Sequence, residues 1–387
     1  MDRITLRTVR LLIAFAATAI AGPWQIERVD QGGVGKFSSM KIEKLGNVHV
    51  VYVLENEQNP VRYAFWDHSI KRWFQMTVAT SGSFCTLVLD SHQRPHISWV
   101  DAGTQPGARL HYGFWDGKEW KLQAIKIDAE IIAYYSSIAL DPQDRPSISY
   151  YEYTGPKDSG LRVRMRVVTW NGQYWQVETV DGDNQSGKFN NLAIDTQGHK
   201  HLIYANVNGM TAGIRYGNWD GSSWKVEILE GLPSARTYIG YAACITLDKD
   251  GDPHVSYSHY SAPFYVKYAV RKGGSWHIEV VDEIAKAAYP DRNSIVLDER
   301  GQPYISYFDE GIGVLKLAHR QSDKWMVETV DRYRAGFTSS VQIHDGTVWI
   351  SYADETGGGL KVAHRSIDSV PAVPTVPPVP VQIQSKK

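Results

Sequence analysis

The sequence has little of what several common protein classes depend on. It contains 2 Cys and 6 Met in 387 residues, and 41 Lys and Arg against 42 Asp and Glu give a formal net charge of -1 at pH 7. So few cysteines exclude a disulfide-rich scaffold, and the balanced charge provides no basic surface for nucleic acid or for an anionic membrane. Hydrophobic residues make up 43% and charged residues 21%, which excludes a disordered or collagen-like chain.

Long hydrophobic runs are also scarce, and the clearest one lies at the N-terminus. Residues 11–21 (LLIAFAATAIA) follow Arg3, Arg7 and Arg10, and Ala19 and Ala21 have the small-x-small spacing of a cleavage site. The run is shorter than the roughly 20 apolar residues that a membrane span needs. We therefore predict a signal peptide over residues 1–21, a secreted or periplasmic location after cleavage near Ala21, and no membrane span in the mature form.

The C-terminus has a different composition. Residues 369–387 contain Pro371, Pro374, Pro377, Pro378 and Pro380. A segment so rich in proline cannot bury a core and favours an extended polyproline conformation. We predict a disordered tail there.

Aromatic residues are abundant, and a repeated pattern accounts for most of them. The chain has 13 Trp, 22 Tyr and 10 Phe. The clearest copy of the pattern has four short segments, at residues 276–282 (WHIEVVD), 293–298 (NSIVLD), 303–307 (PYISY) and 314–319 (VLKLAH). Each has the alternating or fully apolar character of a strand, and turn residues separate them. The repeat is therefore a four-stranded antiparallel unit.

Seven units of about 50 residues follow one another along the chain. Their period is marked by the residue that closes the second segment: Glu43, Asp90, Asp141, Asp195, Asp248, Asp298 and His344. Four-stranded units of this length form the blades of a β-propeller. We predict an all-β, seven-bladed β-propeller over residues 22–368, with strands A to D in each blade counted outwards from the channel. The N-terminal segment Trp24 to Val29 is expected to supply the outer strand of the last blade.

Residues that recur at one position in several blades are interpreted as structural. His49, His96, His201 and His254 share one position on strand B, which favours packing over metal binding. Asp248, Asp250 and Asp252 resemble a calcium loop but belong to the repeated turn between strands A and B, and the distal Glu of such a loop is missing. We predict no metal and no cofactor. Cys85 and Cys244 fall in strand A of blades two and five, too far apart for a disulfide, and are expected to be free and buried.

Basic residues also recur at one position of strand C. We expect them to pair within each blade with an acidic residue that follows strand B, at Asp101, Glu152, Asp309 and Asp354. The basic set is Arg62, Arg166, Arg215, Lys267, Lys316 and Lys361, with His111 in the remaining blade.

The unit W-x-x-E-x-V-D, S-S-x-x-L-D-x-x-G-x-P-x-I-S-Y, L-K-Y-A-x-W resembles the repeat of exported bacterial seven-bladed propellers in the broad sialidase-like, BNR-type superfamily. The resemblance covers Trp24 to about Ile367 and implies the propeller fold. The superfamily includes lectins, glycosidases and polysaccharide lyases, so the resemblance implies no single activity. The Asp-box S-x-D-x-G-x-x-W is reduced here to a fragment at residues 322–325, and no Arg triad with a paired Tyr and Glu is recognisable, which argues against a sialidase.

Candidate site residues lie where the repeat is broken. In a propeller, the D to A and B to C connections meet on one face around the channel mouth, and loops on a rigid scaffold commonly carry binding sites. Blades five and six contribute His, Tyr, Arg and Asp side chains there. These are His259, Tyr260, Arg236, Tyr238, Tyr241, Tyr289, Asp291 and Arg292. A second set in blades two and three comprises Trp99, Asp101, Tyr134, Tyr135, Tyr151 and Tyr153.

Two chemistries suit these residues, and whether the protein is an enzyme stays open. The favoured hypothesis is a binding module that recognises a carbohydrate or a cell-surface polymer, with aromatic rings stacking on sugars. The alternative is a polysaccharide lyase for uronate-containing glycans. There Arg292 would neutralise the carboxylate while His259, Tyr260 and Tyr238 exchange protons in a β-elimination. A protein-interaction scaffold is the further alternative.

Overall fold

The computed structural model describes residues 23–101, 109–126, 132–154, 162–182, 186–207, 212–231, 239–260, 262–286, 293–321 and 323–367. These residues form 28 strands in seven four-stranded antiparallel sheets, which confirms the all-β, seven-bladed propeller. In this part of the chain, no helix has the length and apolar character required to span a membrane. The predicted signal peptide (1–21) and the predicted tail (369–387) lie outside the described residues.

The strands follow the chain from the channel outwards in each blade. Blade one has β2 (Val34–Ile42), β3 (Val48–Glu55), β4 (Val61–Asp67) and β5 (Arg72–Ala79), and blade two has β6 (Ser83–Leu89), β7 (Pro95–Val100), β8 (Leu110–Trp115) and β9 (Trp120–Ile125). Blade three has β10 (Ile132–Leu140), β11 (Pro146–Thr154), β12 (Arg162–Trp170) and β13 (Trp175–Asp181), and blade four has β14 (Ser186–Ile194), β15 (Lys200–Asn206), β16 (Gly213–Trp219) and β17 (Trp224–Gly231). Blade five has β18 (Ile239–Leu247), β19 (Pro253–His259), β20 (Phe264–Lys272) and β21 (Ser275–Ile284), and blade six has β22 (Ser294–Leu297), β23 (Pro303–Asp309), β24 (Val314–Gln321) and β25 (Lys324–Asp331). Blade seven has β26 (Ala335–His344), β27 (Thr347–Asp354), β28 (Leu360–Ser366) and the N-terminal β1 (Gln25–Asp30).

The N-terminal strand closes the ring, as the sequence predicted. Strand β1 pairs antiparallel with β28, and Gln25 lies opposite His364. The Arg28 guanidinium donates to the Asp354 carboxylate at 2.8 Å, so a side-chain contact reinforces the ladder. The first and last segments of the propeller are therefore held in one sheet.

The tryptophan that opens each outer strand packs between blades. Trp120 meets Tyr63 of the preceding blade edge-on, with ring centroids 5.2 Å apart. The same contact joins Trp175 to Tyr112 at 5.4 Å and Trp276 to Tyr216 at 5.2 Å. Aromatic pairs of this geometry bury large apolar areas, which explains why Trp recurs with the period of the blade.

The strand B histidines are packing residues, as expected. Nδ1 of each of four histidines lies 2.6 Å from a tyrosine hydroxyl on strand C of its own blade. The pairs are His49 with Tyr63, His96 with Tyr112, His201 with Tyr216 and His254 with Tyr268. All four histidines are buried. The tyrosine partner gives the buried imidazole a hydrogen bond that packing alone would not provide.

The aspartate of the A to B turn holds the turn together. Asp248 Oδ1 accepts the backbone N–H groups of Asp250 and Asp252, each at 2.9 Å. Asp298 repeats the arrangement with Arg300 and Gln302. A side chain that bonds the backbone two and four residues ahead is a local turn device. The three carboxylates at 248–252 thus occur in a turn that is shared with other blades.

The basic residues of strand C pair as predicted in four blades. His111 Nε2 lies 2.8 Å from Asp101, Arg166 Nε 2.7 Å from Glu152, Lys316 Nζ 3.0 Å from Asp309 and Lys361 Nζ 3.1 Å from Asp354.

A second partner, which the sequence did not predict, joins each of five blades to the blade before it. It is an acidic residue near the end of the preceding outer strand, which accepts hydrogen bonds from a strand B tyrosine and from the strand C base. The five acids are Asp30, Asp181, Glu230, Asp282 and Asp331. We call this arrangement the interblade clasp.

We expect Asp181→Ala to be strongly destabilising. The Asp181 carboxylate lies 2.8 Å from the Tyr204 hydroxyl and 2.5 Å from Arg215, whose side chain is 8% exposed. Removing one partner of a buried ion pair leaves an uncompensated charge and costs about 3–5 kcal/mol. Urea unfolding should show this loss, while Asp250→Ala on an exposed turn changes the free energy of unfolding by less than about 0.5 kcal/mol. Equal effects of the two substitutions would contradict a stabilising clasp.

Cys85 and Cys244, which both belong to the described part of the chain, are not joined by a disulfide, as predicted. Cys85 is buried, but Cys244 is half-buried, which corrects the expectation that both would be enclosed. Cys244 packs on the hydrophobic cluster between blades five and six and also lines the central channel, and the channel side explains its partial exposure.

Candidate functional site

The long connections meet on one face of the propeller, which we call the loop face. The N–H of Gly82, in the connection to blade two, donates to Asn59 O in the B to C loop of blade one at 2.9 Å. Corresponding bonds run from Glu310 to Lys286 O at 3.1 Å and from Glu355 to Arg334 O at 3.3 Å. Each bond joins a B to C loop with a D to A connection, so both kinds of loop border the same end of the channel.

A repeated β-bulge lies where strand A enters from the loop face. The residue six positions before the acid of the A to B turn has a positive φ in every blade where it is described. These residues are Phe37, Phe84, Tyr135, Phe189, Ala242 and Thr338, with φ between 50° and 59°. Bulky residues rarely adopt this conformation, and bulges commonly redirect a side chain beside a functional site.

In blades one to four the bulge residue is aromatic, and the four rings form a continuous arc. Centroids are 4.6 Å apart for Phe37 and Phe84, 4.6 Å for Phe84 and Tyr135, and 4.8 Å for Tyr135 and Phe189. We call this row the aromatic arc. The remaining described positions are Ala242 and Thr338, so the arc borders only one side of the channel mouth.

Tyr134 extends the arc towards solvent. Its side chain is 38% exposed, and its ring lies 6.2 Å from that of Phe84 and 6.4 Å from that of Tyr135. Because these distances are within the range of aromatic contact, the neighbouring rings restrain Tyr134. An exposed ring held in this way can stack on a flat apolar ligand surface.

Two lysines precede aromatic residues of the arc, and they differ in their partners. Lys36 Nζ lies 2.7 Å from Glu55, which neutralises it. Lys188 precedes Phe189 and forms no ion pair with any residue that the structure describes. Partial burial lowers its pKa. An anionic ligand bound next to the arc would therefore stabilise the charged form of Lys188.

Blade two replaces the interblade clasp with a different arrangement. Trp99 occupies the clasp tyrosine position and stacks on His111, with centroids 4.9 Å apart and planes inclined by 11°. Nε2 of His111 lies 2.8 Å from Asp101. Trp99 is only 2% exposed and Tyr151 only 5%, so both rings pack inside the propeller. This corrects their assignment as ligand-stacking residues, because neither offers a free face.

Of the set predicted in blades five and six, the structure describes His259 and Tyr260 in full. His259 ends β19, and its Nδ1 lies 3.2 Å from Pro263 O. Tyr260 is half-buried, with its ring edge-on to Phe264 at 6.2 Å and packed against the cluster that contains Phe189. Tyr260 thus connects blade five to the end of the aromatic arc.

The other predicted residues are described in part or not at all. Tyr241 is paired through its backbone with Ser258, and Tyr153 lies opposite Ile132 in β11, but the side chains of both are outside the description. Arg236, Tyr238, Tyr289, Asp291 and Arg292 lie outside the described residues. Their proximity to His259 stays a prediction.

Within the described ranges, one group of potential metal ligands occurs, on the opposite face, at Asp90, His92 and Asp144, with ligand atoms within 4.8 Å of one another. Asp90 accepts bonds from the N–H groups of His92 and Arg94 and from Arg94 Nε at 2.7–2.9 Å. Asp144 accepts from the N–H and hydroxyl of Ser91. These hydrogen bonds already engage both carboxylates in the turns, so the group carries no metal assignment.

No described protein family matches the sequence, and no curated protein matches it. Among solved structures, a polysaccharide lyase of a new family, an ulvan lyase bound to -[GlcA(1-4)Rha3S]-, aligns at 13% identity and a TM-score of 0.59, over 88% of this chain and 95% of that one. The chain has the propeller fold. A variant of the Aleuria aurantia lectin in complex with Fucalpha1-6GlcNAc aligns at 15% identity and a TM-score of 0.50, over 76% of this chain and 96% of the lectin. Trypanosoma rangeli sialidase in complex with sialic acid aligns at 10% identity and a TM-score of 0.50, over 90% and 60%. The fold implied by the sialidase-like resemblance is confirmed.

Of the arc, sequence reasoning named Tyr135 and its neighbour Tyr134, but it missed Phe37, Phe84, Phe189 and Lys188. The arc had a signal, because Phe or Tyr recurs six residues before the turn acid in blades one to four. The sequence did not show that a bulge brings these rings into contact. Lys188 had no distinguishing signal, since Lys36 occupies the same position in blade one.

Proposed function

We propose that the protein is an exported propeller that binds an acidic polysaccharide at the loop face, across the aromatic arc. The observation that carries this proposal is the exposed ring of Tyr134 on a row of aromatic side chains, together with Lys188, which precedes the last ring of that row and has no ion pair among the described residues. Sugar rings present apolar C–H faces that stack on aromatic side chains, and a lysine favours a carboxylate or sulfate group.

The arrangement suits one extended site better than several equivalent ones. The aromatic residues occupy successive blades, whereas the cation lies in blade four. Neither feature is repeated around the whole ring, since Ala242 and Thr338 replace the aromatic residue in blades five and seven. A polymer lying across blades two to four would contact Tyr134 and Lys188 at the same time.

Substituting either residue should weaken this binding. We expect Tyr134→Ala and Lys188→Met each to lower affinity for a uronate-containing polysaccharide about tenfold, since an aromatic or charged anchor contributes on the order of 1–2 kcal/mol. Tyr174→Ala and Lys225→Met are matched controls, because Tyr174 (59% exposed) and Lys225 (72% exposed side chain) lie at C to D turns on the opposite face.

Calorimetry or glycan-array binding with these four variants tests the proposal. A panel of neutral, uronate-containing and sulfated polysaccharides identifies the ligand class. If the controls lose as much affinity as Tyr134→Ala and Lys188→Met, or if no polysaccharide binds the wild type, the proposed site is wrong.

A lyase activity is the second candidate, and the environment of His259 favours it. When Nδ1–H donates to Pro263 O at 3.2 Å, the basic lone pair of the imidazole lies on Nε2. An imidazole in this tautomer can accept the proton next to a uronate carboxylate. The electron pair of that C–H bond then forms a carbon–carbon double bond as the C–O bond to the leaving sugar breaks, and the leaving oxygen takes a proton from water or from a tyrosine hydroxyl. Solved lyases share the fold, although identity of 13% supports no transfer of their activity.

Incubation with uronate polysaccharides separates cleavage from binding. Release of unsaturated product, detected by its ultraviolet absorbance and abolished in His259→Ala, would show that the protein is a lyase and not only a binding module. Binding without product would exclude lyase activity on the polymers tested.

A further inference from the structure

Among the described residues, the lining of the central channel includes many polar side chains but a single charged one. Its volume is about 440 Å³, and strand A of every blade lines it. Lys41 is the only charged residue among the described residues of the lining, which include no Asp or Glu. A buried cation is usually paired with a carboxylate, and the described lining provides none for Lys41.

A ring of hydrogen bonds surrounds the middle of the channel. In six of the seven blades, a strand A side chain accepts a hydrogen bond from a backbone N–H of strand A in the next blade, at 2.9–3.1 Å. The acceptors are Ser39, Thr86, Ser137, Asn191, Ser294 and Ser340. Cys244 occupies the corresponding place in blade five. These bonds join the inner strands around the channel.

Three consecutive blades of the ring contribute serine hydroxyl groups whose protons are available. Ser294, Ser340 and Ser39 belong to the consecutive blades six, seven and one, and each uses its oxygen to accept an N–H. A serine that accepts in this way still has its own O–H to donate. None of the three has an acceptor for that proton among the described residues.

Lys41 lies in the same sector. It comes two residues after Ser39 on β2 and forms no ion pair with a described residue. Gln342, two residues after Ser340 on β26, contributes an amide to the lining. Three hydroxyl donors, one amide and one ammonium group therefore border one side of the channel.

We propose that this sector of the channel binds a small monovalent anion, held by the Lys41 ammonium and by the hydroxyl groups of Ser39, Ser294 and Ser340. One cation surrounded by neutral donors balances a single negative charge, such as a halide or a small carboxylate. The volume accommodates such an anion with several water molecules, each of which takes about 30 Å³.

The environment of Lys41 agrees with this assignment. Burial lowers the pKa of Lys41, and interaction with Cys244, the only other titratable side chain of the described lining, partly offsets the decrease. A bound anion stabilises the charged form. Anion binding and protonation of Lys41 therefore reinforce each other.

Thermal unfolding in chloride tests the proposal. At constant ionic strength, with chloride replacing camphorsulfonate, a much larger monovalent anion, the Tm of the wild type should rise by about 2 °C or more. In Lys41→Met the Tm should not depend on chloride. Lys44→Met, which removes an exposed lysine three residues further along, should keep the dependence. The proposal is wrong if Lys41→Met responds to chloride as the wild type does.

Two further measurements do not depend on the Lys41 variant folding. Crystals of the wild type grown in bromide should show an anomalous peak in the channel beside Lys41, and an empty channel there would overturn the proposal. Cys244→Ser should retain the chloride dependence. Loss of the dependence in that variant would assign the effect to the thiol instead.

Discussion

Deletion of residues 24–30 is expected to destabilise the propeller more than any single substitution considered above. The deletion removes β1, which pairs with β28 and also contacts blade one. Asp30 accepts from Arg62 at 3.1 Å, Trp73 Nε1 donates to Glu27 at 2.9 Å, and Gln75 donates to Val29 O at 2.8 Å. Blade one would thus lose its contacts with the strand that closes the ring.

The expected magnitude follows from what the deletion exposes. Blade seven would be left with three strands and with β28 as an unpaired edge. Losing the backbone ladder, the Arg28–Asp354 ion pair and the Asp30 clasp together should cost about 5 kcal/mol or more and lower the Tm by about 10 °C or more.

Differential scanning calorimetry of the truncated and full-length proteins measures this effect. Deletion of residues 370–387 is the control, since we predict that segment to be a disordered tail. A Tm that stays unchanged without residues 24–30 would show that closure by β1 contributes little to stability.

Mild acid is the second condition expected to have a large effect, because several histidines are held neutral in the fold. Burial lowers the pKa of His49 to about 4, and burial together with repulsion from Arg365 lowers that of His319 to about 4. Burial also lowers the pKa of four other histidines. These are His96, His201, His254 and His364.

The sign of the effect follows from proton binding. Above the unfolded pKa of about 6.5 both states are neutral, and the stability contributed by these histidines is complete. Between pH 6.5 and about 4 the unfolded chain binds protons that the folded chain does not, so stability falls as the pH falls. His49 and His319 should each contribute a loss of about 1.4 kcal/mol per pH unit over this interval.

Urea unfolding at pH 7.5, 6, 5 and 4 tests this prediction. His49→Gln and His319→Gln should each reduce the dependence of the unfolding free energy on pH, because each removes one buried group that takes up a proton on unfolding. His92→Gln removes an exposed ring on a turn and should leave the dependence as in the wild type. The assignment is refuted if the wild type is equally stable at pH 7.5 and pH 5.

The structural repeats were predictable because each blade repeats the same local requirements. Trp at the head of an outer strand, His on strand B and Asp in the A to B turn recur at a constant spacing, so each copy supports the interpretation of the others. Repetition also identified the strand B histidines correctly as structural residues. Their packing role was predicted, whereas their tyrosine partners were not.

The candidate site could be predicted less well from the repeated pattern. Trp99 and Tyr151 were chosen by residue type and turned out to be buried, because a strand position close to the loop face can still point into a sheet interface. Tyr134 and Tyr135 are adjacent in sequence but differ in exposure. The reason is a β-bulge between Tyr134 and Ser137, which changes the direction of the chain. Residue type alone does not indicate such a change of direction.

The sequence by itself determined the number of blades, the closure by the N-terminal strand and the pairing of strand C bases with the acids after strand B. These depend on contacts between segments whose spacing repeats, so periodicity is sufficient to identify them. Only the tertiary structure decided that clasp acids come from the preceding blade, that four bulge residues form one aromatic arc, and that Lys41 and Lys188 have no ionic partner among the described residues. Each of these depends on which side chains of different blades meet, and that is set by how the blades pack around the channel.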